Sequence, residues 1–273
     1  MRKALLLAAF CASVAQAETS IEVRPNTLLR LPTTSAQLAL DRLEVGDAGT
    51  LLIPAGLDEI RVGELRLGRE ASIGIAPSER VFRLEARQAV LGEGSRISAR
   101  GAAGNHQRPA TAGRDLSLRL ERAEVTGLTL DVRGGRGAPG YRGLDGADGK
   151  AGGCLWGSAR RGHDGQAGGD GQSGGQGGRI RLEVPEDFPA ERLQVLLQGG
   201  PGGEPGAGGQ GGRAGKAKGC WLYRVAGAGG GRPGLAGQPG ASGADGALEL
   251  VRLTAPAEES VGALTRGAEE SAE

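Results

Sequence analysis

Residues 231–246 read Gly-Arg-Pro-Gly-Leu-Ala-Gly-Gln-Pro-Gly-Ala-Ser-Gly-Ala-Asp-Gly, with glycine at every third position. A strict three-residue glycine period is typical of polyproline II helices that pack so closely that one edge tolerates no side chain. The same period runs through residues 134–152, 162–177 and 200–215. The chain therefore carries four such runs, and each spans about 50 Å at about 3.1 Å per residue.

The four runs form two excursions, residues 134–178 and 199–246, each folded around a hinge with one Cys and one Trp. A collagen triple helix needs long uninterrupted repeats and more proline than these runs contain. We therefore predict that four antiparallel polyproline II arms pack within one chain as a bundle. Weak Cα–H···O contacts and some peptide hydrogen bonds would hold the arms together. This favours a monomer, and a trimeric collagen-like stalk is the alternative.

Short alternating strands fill the rest of the chain and recur at about 20 to 22 residues. One unit contains Leu38–Leu40, Leu43–Val45 and Leu51–Ile53. A single unit cannot bury its apolar face, whereas stacked units can. We predict an all-β fold, a β-solenoid of the right-handed parallel β-helix type, with an antiparallel β-sandwich as the alternative.

The N-terminus has the pattern of a secretory signal peptide: Arg2 and Lys3, an apolar stretch, and Ala15-Gln16-Ala17 before the cleavage site. We expect export to the periplasm, the cell surface or the extracellular space. The predicted order is 1–17 signal peptide, 18–133 β-solenoid coils, 134–178 first glycine-rich hairpin, 179–198 returning coil, 199–246 second glycine-rich hairpin, 247–253 final strand and 254–273 disordered tail.

The overall charge is almost balanced, with 33 basic and 32 acidic residues before the loss of Arg2 and Lys3. Such a balance does not steer a protein toward nucleic acid, which we exclude as a partner. No apolar stretch after the signal peptide is long enough for a transmembrane segment.

The two hinges hold the candidate site. Cys154 and Cys220 occupy equivalent positions in them, and an exported protein would join the two in a disulfide. Trp156, Trp221 and Tyr223 are predicted to form an apolar plug beneath the hinges, and an exposed platform for sugar rings is the alternative. The hinges also carry basic residues, which would either form a solvated rim or contact an anionic surface glycan or another cell-surface component: Arg160, Arg161, Lys216, Lys218 and Arg224.

Catalytic residues, metal ligands and cofactor motifs are not recognised in the sequence. Acidic residues are scattered along the strands and alternate with Arg, which is typical of a solvated surface: Glu44, Glu64, Glu85, Glu121 and Glu183. We predict a protein that is not an enzyme. A carbohydrate-active β-helix enzyme would need clustered carboxylates on one face and is kept as an alternative.

Two runs, 137–143 and 231–240, resemble those of bacterial collagen-like and glycine-rich repeat secreted proteins. The glycine spacing together with the cysteines is also similar to the polyproline II bundles of glycine-rich springtail antifreeze proteins and of phage-tail adhesin tips. The first resemblance implies a secreted protein with collagen-like repeats and the second a glycine bundle, and both concern local conformation more than function. Ice binding is a further alternative. Antifreeze bundles have a flat face of small residues, whereas these arms carry Arg142, Asp145, Lys150 and Asp170.

Overall fold

The computed structural model describes residues 19–32 and 35–253 of the 273-residue chain. These residues form an almost purely β structure whose one short 3₁₀ helix is Ala190–Arg192. The predicted signal peptide and the predicted disordered tail lie outside the described residues. A search of the described part for a helix that is long and apolar enough to cross a membrane finds none.

Two parallel sheets contain most of the strands. The first has seven strands in the order β1, β3, β5, β7, β9, β11, β15, and the second has six in the order β12, β10, β8, β6, β4, β2. Successive strands therefore alternate between the sheets. The strands of the first sheet are Ser20–Val23 (β1), Gln37–Val45 (β3), Glu59–Leu67 (β5), Phe82–Leu91 (β7), Leu116–Val125 (β9), Arg179–Pro185 (β11) and Ala247–Leu253 (β15). Those of the second are Leu28–Arg30 (β2), Thr50–Ile53 (β4), Ser72–Ile75 (β6), Ser95–Ser98 (β8), Leu128–Asp131 (β10) and Leu193–Leu196 (β12).

The predicted all-β class is confirmed, and the pairing in both large sheets is parallel, unlike that of the antiparallel sandwich alternative. The antiparallel pair among the described strands is Lys218–Gly219 (β13) with Arg224–Val225 (β14), in the second hinge. The sequence predicted separate strands at Leu38–Leu40 and Leu43–Val45. They are one continuous strand, β3, in which the buried side chains shift phase between Leu40 and Leu43.

Apolar side chains stack in register from strand to strand and build the core. Leu38 pairs with Ile60, 22 positions later, but Leu118 pairs with Leu182, 64 positions later. The glycine-rich excursions thus leave the sheet and return to it without shifting the register. One ladder, which runs through six strands from β3 to β15, is Leu38, Ile60, Leu84, Leu118, Leu182 and Leu250.

Three excursions, rather than the two that the sequence indicated, leave the sheets and pack together. The additional excursion is short and comes first along the chain, between β8 and β9. We number the straight segments arms 1 to 6 and call them the glycine bundle: residues 99–104, 109–114, 134–152, 160–178, 198–215 and 228–246. None of these segments contains a helix or a strand.

Hydrogen bonds between the arms follow one rule along the bundle. Consecutive arms run antiparallel, as where the Gly203 N–H of arm 5 donates to the Gln172 carbonyl of arm 4 (2.8 Å). Alternate arms run parallel, as where the Gly137 N–H of arm 3 donates to the Pro201 carbonyl of arm 5 (2.9 Å). The bundle is therefore two layers, arms 1, 3 and 5 against arms 2, 4 and 6. Ordinary N–H···O bonds recur at every third residue, so peptide hydrogen bonds are more regular here than the sequence predicted.

Backbone atoms fill the space beside the buried glycines. A Cβ added to Gly203 would meet the carbonyl group of Ala138 in arm 3, closer than the 3.0 Å below which real Cβ contacts essentially never occur. A Cβ on Gly140 would meet the carbonyl of Gly169 in the same way. Replacement is hard to accommodate because backbone, unlike the end of a flexible side chain, cannot move aside without breaking the hydrogen bonds between arms.

A buried arginine anchors the base of the bundle to the strands. Arg114 is the last residue of arm 2 and its side chain is fully buried. Its guanidinium donates to the Arg80 carbonyl (2.7 Å) and to Asp58 Oδ1 (2.7 Å), and it lies 5.4 Å from the ring centroid of Phe82. A buried charge is tolerated when it is paired and hydrogen-bonded, as it is here.

A buried carboxylate anchors the other corner. Asp131 ends β10 just before arm 3, is fully buried and accepts two hydrogen bonds from Arg133, at 2.9 and 2.7 Å. Burial acts to raise the pKa of Asp131, but the hydrogen bonds and charge of Arg133, with the charge of Arg100, outweigh it and hold the pKa below the ordinary value. Both corners of the bundle base are thus fixed by ionic hydrogen bonds.

The packing of Gly203 predicts a position-specific cost of adding one methyl group. Gly203→Ala should lower the free energy of unfolding by about 1–3 kcal/mol because of overpacking. Gly229→Ala is the matched control, since a Cβ there meets no atom within 4 Å. Urea unfolding followed by circular dichroism checks both variants. Equal stability of the two variants would contradict backbone-to-backbone packing at Gly203.

Candidate functional site

A disulfide joins the two hinges at the far end of the glycine bundle. The Sγ atoms of Cys154 and Cys220 are 2.00 Å apart and their Cα atoms are 5.7 Å apart. The predicted disulfide is therefore confirmed. It connects the loop between arms 3 and 4 to the loop between arms 5 and 6. We call residues 150–161 and 214–230 together the tip.

Tyr223 fastens the two hinges together in a second way. Its hydroxyl donates to the carbonyl of Cys154 in the other hinge. Its own carbonyl accepts the N–H of Cys220 at 2.7 Å, which closes the small β13–β14 hairpin. In the first hinge, Gly157 has a positive φ of 92° and its carbonyl accepts the N–H of Gly153 at 3.1 Å. The predicted contact residue Tyr223 thus has a positioning role.

The prediction of a buried aromatic plug is wrong. Trp156 is 89% exposed and Trp221 is 95% exposed. The bundle has no apolar interior for a plug to fill, because its arms meet through glycine backbone and hydrogen bonds. The tryptophans therefore point into solvent at the end of the arms.

Two leucines that were not among the predicted contact residues are exposed on the same two loops. Leu155 and Leu222 are 88% and 82% exposed, next to Trp156 and Trp221. Their exposure could have been predicted from their position. Each lies beside a tryptophan in a hinge that has no apolar core in which to bury a leucine. Four large apolar side chains are thus exposed on two loops that one disulfide holds together.

Basic side chains are exposed on the same two loops as these apolar side chains. The tip contains six basic residues and no acidic one, and all six are exposed: Lys150, Arg160, Arg161, Lys216, Lys218 and Arg224. Arg161 lies 2.8 Å from Asp164 at the border of the tip. Within residues 19–32 and 35–253, none of the other five forms a salt bridge. The sequence-predicted contact residues are therefore together at one end of the bundle.

Carboxylates along the arms have a structural use. Asp145 of arm 3 accepts the N–H of Gln210 in arm 5 at 2.7 Å, and Asp170 of arm 4 accepts the N–H of Gln238 in arm 6 at 2.7 Å. These bonds link parallel arms at backbone groups that the glycine pattern leaves open. The acids that distinguish these arms from antifreeze arms thus hold the bundle together.

Asp164 shows the same arrangement next to the tip. Its Oδ1 accepts the N–H of Arg232 at 2.7 Å, and this hydrogen bond lowers the pKa of the Asp164 carboxyl below its ordinary value. Burial opposes the shift, while the positive charges of Arg161, Arg232 and His163 add to it. The ionised carboxylate is therefore the form that the folded bundle favours.

Comparison of the chain with protein-family models, with curated proteins and with solved structures gives no match in any of the three.

Removal of the disulfide should weaken the outer part of the bundle. The bond spans 66 residues, and in the chain-entropy model a loop of this length stabilises by about 4 kcal/mol. We expect Cys154→Ser/Cys220→Ser to lower the free energy of unfolding by about that amount in urea titrations. The reduced wild-type protein should behave as the variant does. A variant as stable as the oxidised protein would refute this account.

Acidification should destabilise the bundle through Asp164. Because its pKa is lowered in the folded state, its stabilisation is complete above the ordinary Asp pKa of about 3.9 and disappears as the pH falls through the folded value. Asp164→Asn should therefore be less stable than wild type at neutral pH and equal to it at strongly acidic pH. Urea midpoints measured across this range test the prediction. Glu93→Gln, which removes an exposed carboxylate that makes no hydrogen bond among the described residues, is the control.

Proposed function

We propose that this chain is an exported scaffold without enzymatic activity, whose glycine bundle presents the tip to an anionic component of a cell surface. The observation that carries the proposal is the tip itself. Two loops joined by a disulfide expose four large apolar side chains together with basic side chains. The apolar ones are Leu155, Trp156, Trp221 and Leu222. Exposed apolar groups of this size on a folded protein typically mark an interaction site.

The architecture suits such a scaffold. We infer that the alternating strand pairs are coils of a β-solenoid, a right-handed parallel β-helix, and that the arms are polyproline II helices. Parallel pairing with a constant register supports the first inference, and three-residue hydrogen bonding supports the second. Stacked coils and hydrogen-bonded arms would hold the tip in a fixed position at the end of the bundle.

The signal-like N-terminus is the basis for proposing export, and the disulfide supports it. Disulfides persist in the periplasm, on cell surfaces and in extracellular space, where the environment is oxidising. A bundle that depends on one bridge between its two long hairpins fits these compartments. We propose the same three locations as the site of action.

A monomer is the form that the glycine packing favours over a trimeric collagen-like stalk. The bare edges of Gly137 and Gly203 already face backbone of other arms of the same chain, so they are not available to other chains.

The charged side chains of Arg142 and Asp145 on the arms argue against ice binding. On the strands, Glu64 and Glu183 pair with Arg42 and Arg119, which fits solubilising surface charge better than a catalytic carboxylate cluster.

Binding to intact bacterial cells tests the proposal. We expect the full chain to sediment with cells at low salt and to be released as the salt concentration rises, because screening weakens contacts between exposed charges. Lys216→Glu/Lys218→Glu should reduce the bound fraction several-fold. Arg30→Glu/Arg122→Glu makes the same charge change at exposed positions on the strands and should bind as wild type. Protein that stays in the supernatant at low salt would rule out the proposed function.

A further inference from the structure

The apolar part of the tip has a composition that distinguishes among anionic ligands. Sugar recognition combines aromatic faces with polar side chains that hydrogen-bond hydroxyl groups. The tip contains no Asp, Glu, Asn or Gln. Leu155 and Leu222, which have no aromatic face, are two of the five large hydrophobic side chains exposed in the tip. Leucines at 88% and 82% exposure have no use in stacking against a sugar ring but gain from entering hydrocarbon.

The distribution of polar and apolar groups is that of a membrane-interface contact. Tryptophan is enriched where water meets lipid, since its ring is apolar and its N–H is polar. Lys and Arg beside a Trp and Leu surface are typical of proteins that lie on anionic membranes. Six basic residues without an acid in the tip match this pattern, and at an anionic surface each raises the binding constant roughly fivefold.

We propose that the tip docks onto an anionic lipid surface, with Leu155, Trp156, Trp221 and Leu222 entering the headgroup region and the basic residues contacting lipid phosphates. This inference rests on the proposed function, because it uses the tip as the contact surface, and it names lipid as the partner. The disulfide and the Tyr223 hydrogen bond hold both loops in place before contact, so little ordering is needed on binding.

The two tryptophans make the test direct. Trp156 and Trp221 are the only tryptophans of the 273-residue chain, and both lie in the tip. Intrinsic tryptophan fluorescence therefore reports the tip alone, without a label. We expect a blue shift and a rise in intensity when the full chain is titrated with phosphatidylcholine vesicles that contain phosphatidylglycerol. Vesicles of phosphatidylcholine alone should give a much smaller change, and lipids with a quencher in the upper acyl chain should quench the emission.

Variants separate insertion from charge attraction. Leu155→Ala/Leu222→Ala keeps both fluorescent reporters and should weaken vesicle binding about tenfold or more, since two large apolar side chains are lost. Leu235→Ala is the matched control, because Leu235 is 80% exposed on arm 6 outside the tip. Lys216→Glu/Lys218→Glu should abolish the preference for phosphatidylglycerol, and Arg30→Glu/Arg122→Glu should retain it.

Each outcome decides between the proposals. No spectral change with anionic vesicles at low salt overturns the lipid proposal, and so does unaltered binding by Leu155→Ala/Leu222→Ala. If the protein then binds cells and acidic polysaccharides, the proposed function stands and an acidic glycan is the partner. If it binds neither cells nor vesicles, both proposals fail.

Discussion

The bundle depends on one constraint, the direct contact of backbone with backbone at every third residue of the arms. Glycine at these positions lets arms approach closely enough for an N–H of one arm to reach a carbonyl of another, as from Gly137 to Pro201. Glycine loses more conformational entropy on folding than any other residue, so this arrangement starts from a large cost. Regular hydrogen bonds offset that cost. The carboxylates of Asp145, Asp164 and Asp170 add bonds at backbone groups that the glycine pattern leaves open.

The same constraint explains why the tip is apolar and exposed. An interior made of backbone has no cavity that a tryptophan could fill, so Trp156 and Trp221 gain nothing from turning inward. The core of the strand region is built from ladders such as Leu38 with Ile60, and it lies at the other end of the arms. Arg114 and Asp131 fix the junction between these two kinds of interior, one held by apolar contact and the other by hydrogen bonds.

Period and alternation in the sequence were sufficient to predict the all-β class, the paired arms and the Cys154–Cys220 bridge, because each leaves a repeated local signal. Arms 1 and 2 were missed, since Gly101, Gly104 and Gly113 are too few to establish a period. They are arms because the Gly135 N–H of arm 3 donates to the Thr111 carbonyl, a contact that local sequence does not encode. The tryptophans were misplaced for a related reason: a core was assumed where the glycine lattice leaves none.

Proline placement then accounts for where the bundle ends. In arms 3 and 4 the glycine N–H groups at every third residue donate to the arm two places further on. The equivalent positions of arms 5 and 6 have no further arm beside them among the described residues, and Pro205, Pro233 and Pro239 occupy three of these positions. Proline has no N–H to donate. At a fourth equivalent position, the N–H of Gly199 donates to the carboxylate of Asp245. The last two arms therefore offer an interrupted edge to further chains, as edge strands of sheets do when proline protects them from aggregation. The prolines at these positions thus remove N–H donors that a neighbouring chain could otherwise engage.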